Sequence, residues 1–106
     1  MNTMADIEEL RFPGVQKLLV DGLAGDGHTV ELVRLIVRVD CRNCGFGKQA
    51  VKELQAMCRQ AHKRYLLLTL DPQSLRPRDL RRFYEHLGFR MRDPQDPQCD
   101  VMVCRL

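Results

Sequence analysis

The stretch Cys41-Arg42-Asn43-Cys44-Gly45-Phe46-Gly47-Lys48 carries two overlapping patterns. As C-x-x-C it offers thiols to a metal or a redox pair. As R-x-x-G-x-G ahead of a helical stretch, it offers backbone N–H groups, two flexible glycines and two cations to an anion. The spacing fits neither the P-loop nor the dinucleotide-binding G-x-G-x-x-G pattern. A structural zinc ion would want four ligands, here Cys41, Cys44, Cys99 and Cys104, and the last two form a loose C-x-x-x-x-C. Metal at Cys44 would also compete with an anion in the same loop. The anion reading is adopted, and no metal site is expected.

Two further residues have chemistry to offer. Tyr84, in Phe83-Tyr84-Glu85-His86-Leu87-Gly88-Phe89, carries a phenol with an ordinary pKa near 10, protonated at neutral pH and able to act as an acid. Its plain alternative is a core tyrosine on an apolar helix face. Glu31 offers a carboxylate, whose plain reading is a solvent-facing position in an alternating strand.

The elements that would position these groups follow from periodicity. Residues 16–23 (QKLLVDGL) and 28–39 (HTVELVRLIVRV) read as strands around the turn AGDG. Residues 48–63 read as a helix, because Ala50, Val51, Leu54, Met57, Cys58 and Ala61 form one stripe. Residues 65–70 (YLLLTL) suit a strand buried on both faces. A second helix spans 77–87, with Pro77 in its first turn and Gly88 as its cap. Residues 89–92 and 101–106 can close the sheet around DPQDPQCD. The order predicted is β-β-α-β-α-β-β, a mixed-sheet α/β (α+β) fold, with 30–70 as a parallel crossover. The R-x-x-G-x-G loop then joins a strand end to a helix start, where N–H groups and the helix dipole converge.

A chain of 106 residues predicts one domain, with 1–15 as an N-terminal extension and 16–106 as the core. The start, MNTMADIEELRF, is acidic without an apolar centre, so no signal peptide is read. The longest uncharged apolar run is six residues, far short of a membrane span. Five cysteines, an odd number, suit reduced thiols in a cytoplasmic protein rather than a disulfide framework. Residues 34–92 hold 14 of the 17 bases and 5 of the 14 acids, a net +9, while the remainder is −6. One surface is thus suited to an anion and another to a cation.

Arg42-x-x-Gly45-x-Gly47 followed by the segment around Tyr84 resembles the GCN5-related N-acetyltransferases (GNAT), over roughly residues 16–106. By that resemblance, Arg42 and the backbone of Asn43, Cys44, Gly45, Phe46, Gly47 and Lys48 bind the pyrophosphate of acetyl-coenzyme A. Val37, Arg38 and Val39 would run beside the pantetheine arm as an added strand, with backbone N–H polarising the thioester carbonyl. Tyr84 would protonate the departing thiolate. Glu31, eleven residues before Arg42, stands where family members often carry a catalytic glutamate. Two features depart from the pattern. About fifteen residues stand where a strand and two helices usually precede the central hairpin, and Pro77 replaces an asparagine common seven residues before the tyrosine. The chain is similar in this to the very short, N-terminally truncated members of phages and mobile elements, some of which modify host or CRISPR proteins.

The resemblance implies an acetyl-coenzyme A-dependent N-acetyltransferase acting on an amine. A lysine, with a pKa near 10.4, must lose its proton to attack. The acidic segment 93–100 would attract that cation, and so short a chain suits a protein lysine better than an enclosed small amine. A second copy of the chain is an alternative way to complete the acceptor side. The rival reading is a catalytically inactive coenzyme-binding or protein-binding relic of the fold, favoured by the short front and Pro77. Nucleic acid is not an expected partner, since few aromatics are available for stacking.

Overall fold

A computed structural model of the protein describes residues 7–38, 45–71 and 77–106. Eight elements follow in order: β1 (Ile7–Glu9), β2 (Val15–Asp21), β3 (Thr29–Val37), α1 (Phe46–Gln60), β4 (Tyr65–Thr69), α2 (Pro77–Glu85), β5 (Phe89–Met91) and β6 (Val101–Arg105). They form one six-stranded sheet in the order β1-β2-β3-β4-β6-β5. All neighbouring pairs are antiparallel except β3–β4, which is the parallel pairing expected for the 30–70 crossover. The core elements match the sequence expectation. β1 does not: three residues, Ile-Glu-Glu, are too few to show a period, and they become a strand only by pairing with β2 inside the supposed N-terminal extension.

The hydrophobic face is set by register. Val20 pairs with Leu32, Val30 with Leu66, Leu32 with Leu68, Leu66 with Cys104, and Phe89 with Cys104, so these side chains share one face. They join Ala50, Val51, Leu54 and Cys58 of α1 and Tyr84 and Leu87 at α2 in a single buried cluster. Both helices therefore cover the same side of the sheet. The opposite side carries Val33, Tyr65 and Ile7, each about two-fifths exposed.

Helix α1 departs from its predicted stripe at two places. Met57 is only partly buried and Ala61 is exposed, whereas Gln55 is buried. Gln55 Nε2 donates to the Leu87 carbonyl at 2.7 Å and lies 3.4 Å from Cys104 Sγ. A polar side chain thus ties α1, the end of α2 and β6 together. Lys63 is buried for a similar reason, its ammonium donating to the carbonyls of Gly25 and Gly27 and holding the β2–β3 turn. Among the described residues, no helix is long and apolar enough to cross a membrane.

Candidate active site

Between Val20↔Leu32 and Leu19↔Arg34, β3 contains one residue more than β2, and Val33 has no partner. Such a bulge bends the strand and increases its local twist. The consequence shows on the other edge of β3. Its parallel pairing with β4 runs from Thr29↔Tyr65 to Leu32↔Leu68 and stops there. Beyond that point β3 stays with β2 as far as Val37, while Thr69 of β4 stays with Val101 of β6. The sheet splits into two halves.

The gap is a cleft of about 550 Å³, walled by residues 32–36 of β3, residues 68–71 after the split, and Leu80 and Tyr84 of α2. That volume suits a small organic ligand. Among the described residues, 33–36 have no strand neighbour on this side, so the edge of β3 presents backbone groups that an extended ligand could pair with.

Helix α1 begins beside the same strand. Gly45 precedes it with φ of 81°, in the left-handed region, and no side chain caps the first turn. That turn contains no acidic residue, and Lys48 is exposed on it, so an anion there meets uncapped N–H groups and a cation. The helix starts two residues earlier than expected, which changes the meaning of Gly47. It is helical and buried, and a Cβ there would lie 3.1 Å from Val37 Cγ2 and 3.6 Å from Phe83 Cζ. Close packing, rather than an unusual torsion, is what requires glycine at 47.

Tyr84 lies at the floor of the cleft. The residue is only 7% exposed, and its ring packs edge-on against Phe83 and Phe89, with centroids 5.0 and 5.5 Å away. Yet no buried side-chain oxygen or nitrogen lacks a partner among the described residues, and no described residue bonds the Tyr84 hydroxyl. The hydroxyl therefore reaches the cleft surface. Burial pushes its pKa up to about 12, because the phenolate would lose its hydration.

The expected site residues distribute unevenly around this geometry. Tyr84 borders the cleft, and Gly45, Phe46, Gly47 and Lys48 form the start of α1. Val37 instead faces Gly47, and the N–H of Arg38 donates to the Gly14 carbonyl at 3.0 Å. The strand wall of the cleft therefore lies upstream of the expected 37–39, because the bulge opens β3 earlier. Glu31 is exposed, opposite Asp21 and Leu67 in register, one residue before the cleft wall. Val39, Arg42, Asn43 and Cys44 lie outside the described residues. Residues 32–36 were missed although a trace is legible: polar Thr29 and Glu31 are followed by Arg34, one position out of phase.

Of the described cysteines, Cys58 and Cys104 are packing residues of the core. Burial holds the Cys58 thiol up at about 11 and raises that of Cys104, so neither is a ready thiolate. Cys104 lies in the core beside Gln55, while Cys99 precedes β6 with its thiol near the Val101 carbonyl. The length of β6 separates them.

A family model described as "Acetyltransferase (GNAT) domain" matches residues 14–91. No curated protein matches the chain. Among solved structures, the anti-CRISPR protein AcrVA5 superposes with a TM-score of 0.70 at 19% identity, over 92% of this chain and 96% of that one. A GNAT family acetyltransferase from Elizabethkingia anophelis with acetyl-CoA bound gives 0.68 at 17%, over 98% and 79%. The PaiA N-acetyltransferase of Thermoplasma acidophilum, in complex with coenzyme A, gives 0.67 at 16%, over 87% and 54%. The chain thus spans little more than half the length of that relative. At these identities the likeness is one of fold.

The placement of Tyr84 has a spectroscopic consequence. The chain has two tyrosines, so a Tyr65→Phe variant reports Tyr84 alone. Its ultraviolet titration should show ionisation near pH 12 in the folded protein. A midpoint near 10, the ordinary tyrosine value, would mean the ring is solvated.

Proposed function

The chain belongs to the GNAT N-acetyltransferase family, and we propose that it moves an acetyl group from acetyl-coenzyme A to an amine, with a protein lysine as acceptor and Tyr84 as general acid. The observation that carries this reading is that the freed edge of β3 and the buried Tyr84 line one cleft. Acetyl-coenzyme A would supply an acyl group on a good leaving thiolate. An extended pantetheine arm can pair with the edge of residues 33–36, and a backbone N–H there can polarise an acyl carbonyl. The start of α1, with Lys48, suits the pyrophosphate.

Proton balance assigns the remaining roles. As the amide forms, a neutral amine loses one proton and the sulfur gains one. Tyr84 keeps its proton throughout the neutral range and presents it to the developing thiolate. Glu31, exposed beside the cleft wall, is the candidate base and would act through water. The acidic segment 93–100 supports a cationic acceptor. The N–H of Leu70, in the cleft wall, donates to the Asp100 carbonyl at 2.7 Å, which fastens that segment to the cleft. Two of its aspartates also stabilise turns, with the N–H of Gln95 donating to Asp93 and that of Gln98 to Asp96. The rate should climb with pH as the acceptor amine deprotonates. It should show no falling limb from Tyr84 until about pH 12.

Two variants test the assignments separately. Tyr84→Phe keeps the ring between Phe83 and Phe89, so coenzyme affinity should hold while the acetyl-transfer rate falls by about 10²–10⁴, the range for a positioned acid. An unchanged rate would reduce Tyr84 to a core residue. Gly45→Asp meets no atom at its Cβ, although its φ of 81° strains any side chain, and it places a carboxylate at the start of α1. Calorimetry should show coenzyme A affinity lowered by about tenfold or more in a folded protein. Equal affinity would remove the phosphate role of the loop. Mass spectrometry of lysate proteins incubated with wild type and acetyl-coenzyme A identifies the acceptor. Coenzyme binding without any transfer would replace this reading by the inactive relic.

A further inference from the structure

The two ends of the loop assigned to pyrophosphate meet at a residue that no motif marks. We infer that Gly14 is a positioning residue for the anion-binding start of α1, acting through Phe46; this rests on the coenzyme-binding reading above. Gly14 belongs to the turn leading into β2, in which the Val15 N–H donates to the Phe12 carbonyl at 3.2 Å. Its carbonyl accepts the Arg38 N–H at 3.0 Å, which fixes the chain where it leaves β3. Its α-carbon lies against the ring of Phe46, the first residue of α1. A Cβ on Gly14 would fall 2.3 Å from Phe46 Cγ, 2.5 Å from Cδ2 and 2.8 Å from Cβ. No real contact is that short, so any side chain at 14 must displace the ring.

Glycine is required twice over, because φ at this position is 73°. One residue thus bonds the strand side of the loop and packs the helix side. The packing of Gly47 on Val37 and Phe83 seats the second residue of α1, and Gly14 seats the first. Gly45 has no atom near the place of a Cβ, and the first turn of α1 has no side-chain cap. The directions of the N–H groups at the start of α1 therefore depend on where Phe46 is seated as well as on the packing of Gly47. Anion binding by backbone groups depends on those directions, and a displacement of about 1 Å is enough to lose much of it.

A purely structural Gly14 would affect stability alone, so the test compares two acyl donors. Acetyl-coenzyme A carries the pyrophosphate and acetyl-pantetheine does not. The ratio of their kcat/KM values in wild type measures what the loop contributes. Gly14→Ala should lower that ratio by about tenfold to a hundredfold, through the KM for acetyl-coenzyme A, as expected when charged hydrogen bonds are lost. Phe46→Ala, which removes the ring by which Gly14 acts, should lower it similarly. The double variant should lose little beyond either single one. If Gly14→Ala does not fold, the ratio for Phe46→Ala decides. A ratio unchanged from wild type, whatever the melting temperature, overturns the inference. Wild type that binds no coenzyme A in calorimetry removes the functional reading itself, and the inference with it.

Discussion

One unpartnered residue in β3 organises the rest of the molecule. Six strands of these lengths could form an unbroken sheet, and over Thr29–Leu32 they do. At Val33 the extra residue shifts the register against β2, and the strand bends away from β4. Exposed sheet edges invite unwanted pairing, and proteins usually blunt or cover them. Here the free edge of β3 lies inside a cleft, reachable by a slender extended molecule and sheltered from another sheet. The interior layer continues across the split, because Leu35 and Leu70, beyond the last pair, still pack against the common core.

The helices fix what lies at each end of that cleft. α1 approaches β3 and α2 so closely at Gly47 that the contact leaves little room for a methyl group. The anion-attracting start of α1 and the tyrosine on α2 are thereby held in one rigid relation. Gln55 secures the other end of this pair through its hydrogen bond to the Leu87 carbonyl. A buried amide with its donor satisfied costs little, while losing it would strand a carbonyl in the core. The aromatic contacts of Tyr84 with Phe83 and Phe89 then set the ring where it lines the cleft.

Much of this was legible from residue order alone. The stripe of Ala50, Val51, Leu54 and Cys58 marked the helix, and the all-apolar run at 65–70 marked the central strand. The loop and Tyr84 were visible because their residue types are unusual where they stand. What stayed hidden depends on tertiary geometry. β1 is too short to carry a period, and Gln55 and Lys63 look like solvent-facing residues until their carbonyl partners fold over them. Gly14 attracts no notice, since its reason for being glycine is a ring thirty-two positions away. The bulge carries no sequence period either, and with it β3 lines the cleft from Leu32 to Ile36.

The central claim is that the bulge frees the β3 edge at residues 33–36 for a ligand. Amide hydrogen exchange, resolved by residue and measured with and without coenzyme A, tests it most directly. Val30 and Leu32 lie where β3 is paired on both sides, and their protection should be the same in both states. Amides within 33–36 that face the cleft should exchange fast in the free protein and slow on adding coenzyme A. Full protection of 33–36 in the free protein, or no change when coenzyme A binds, would contradict the account.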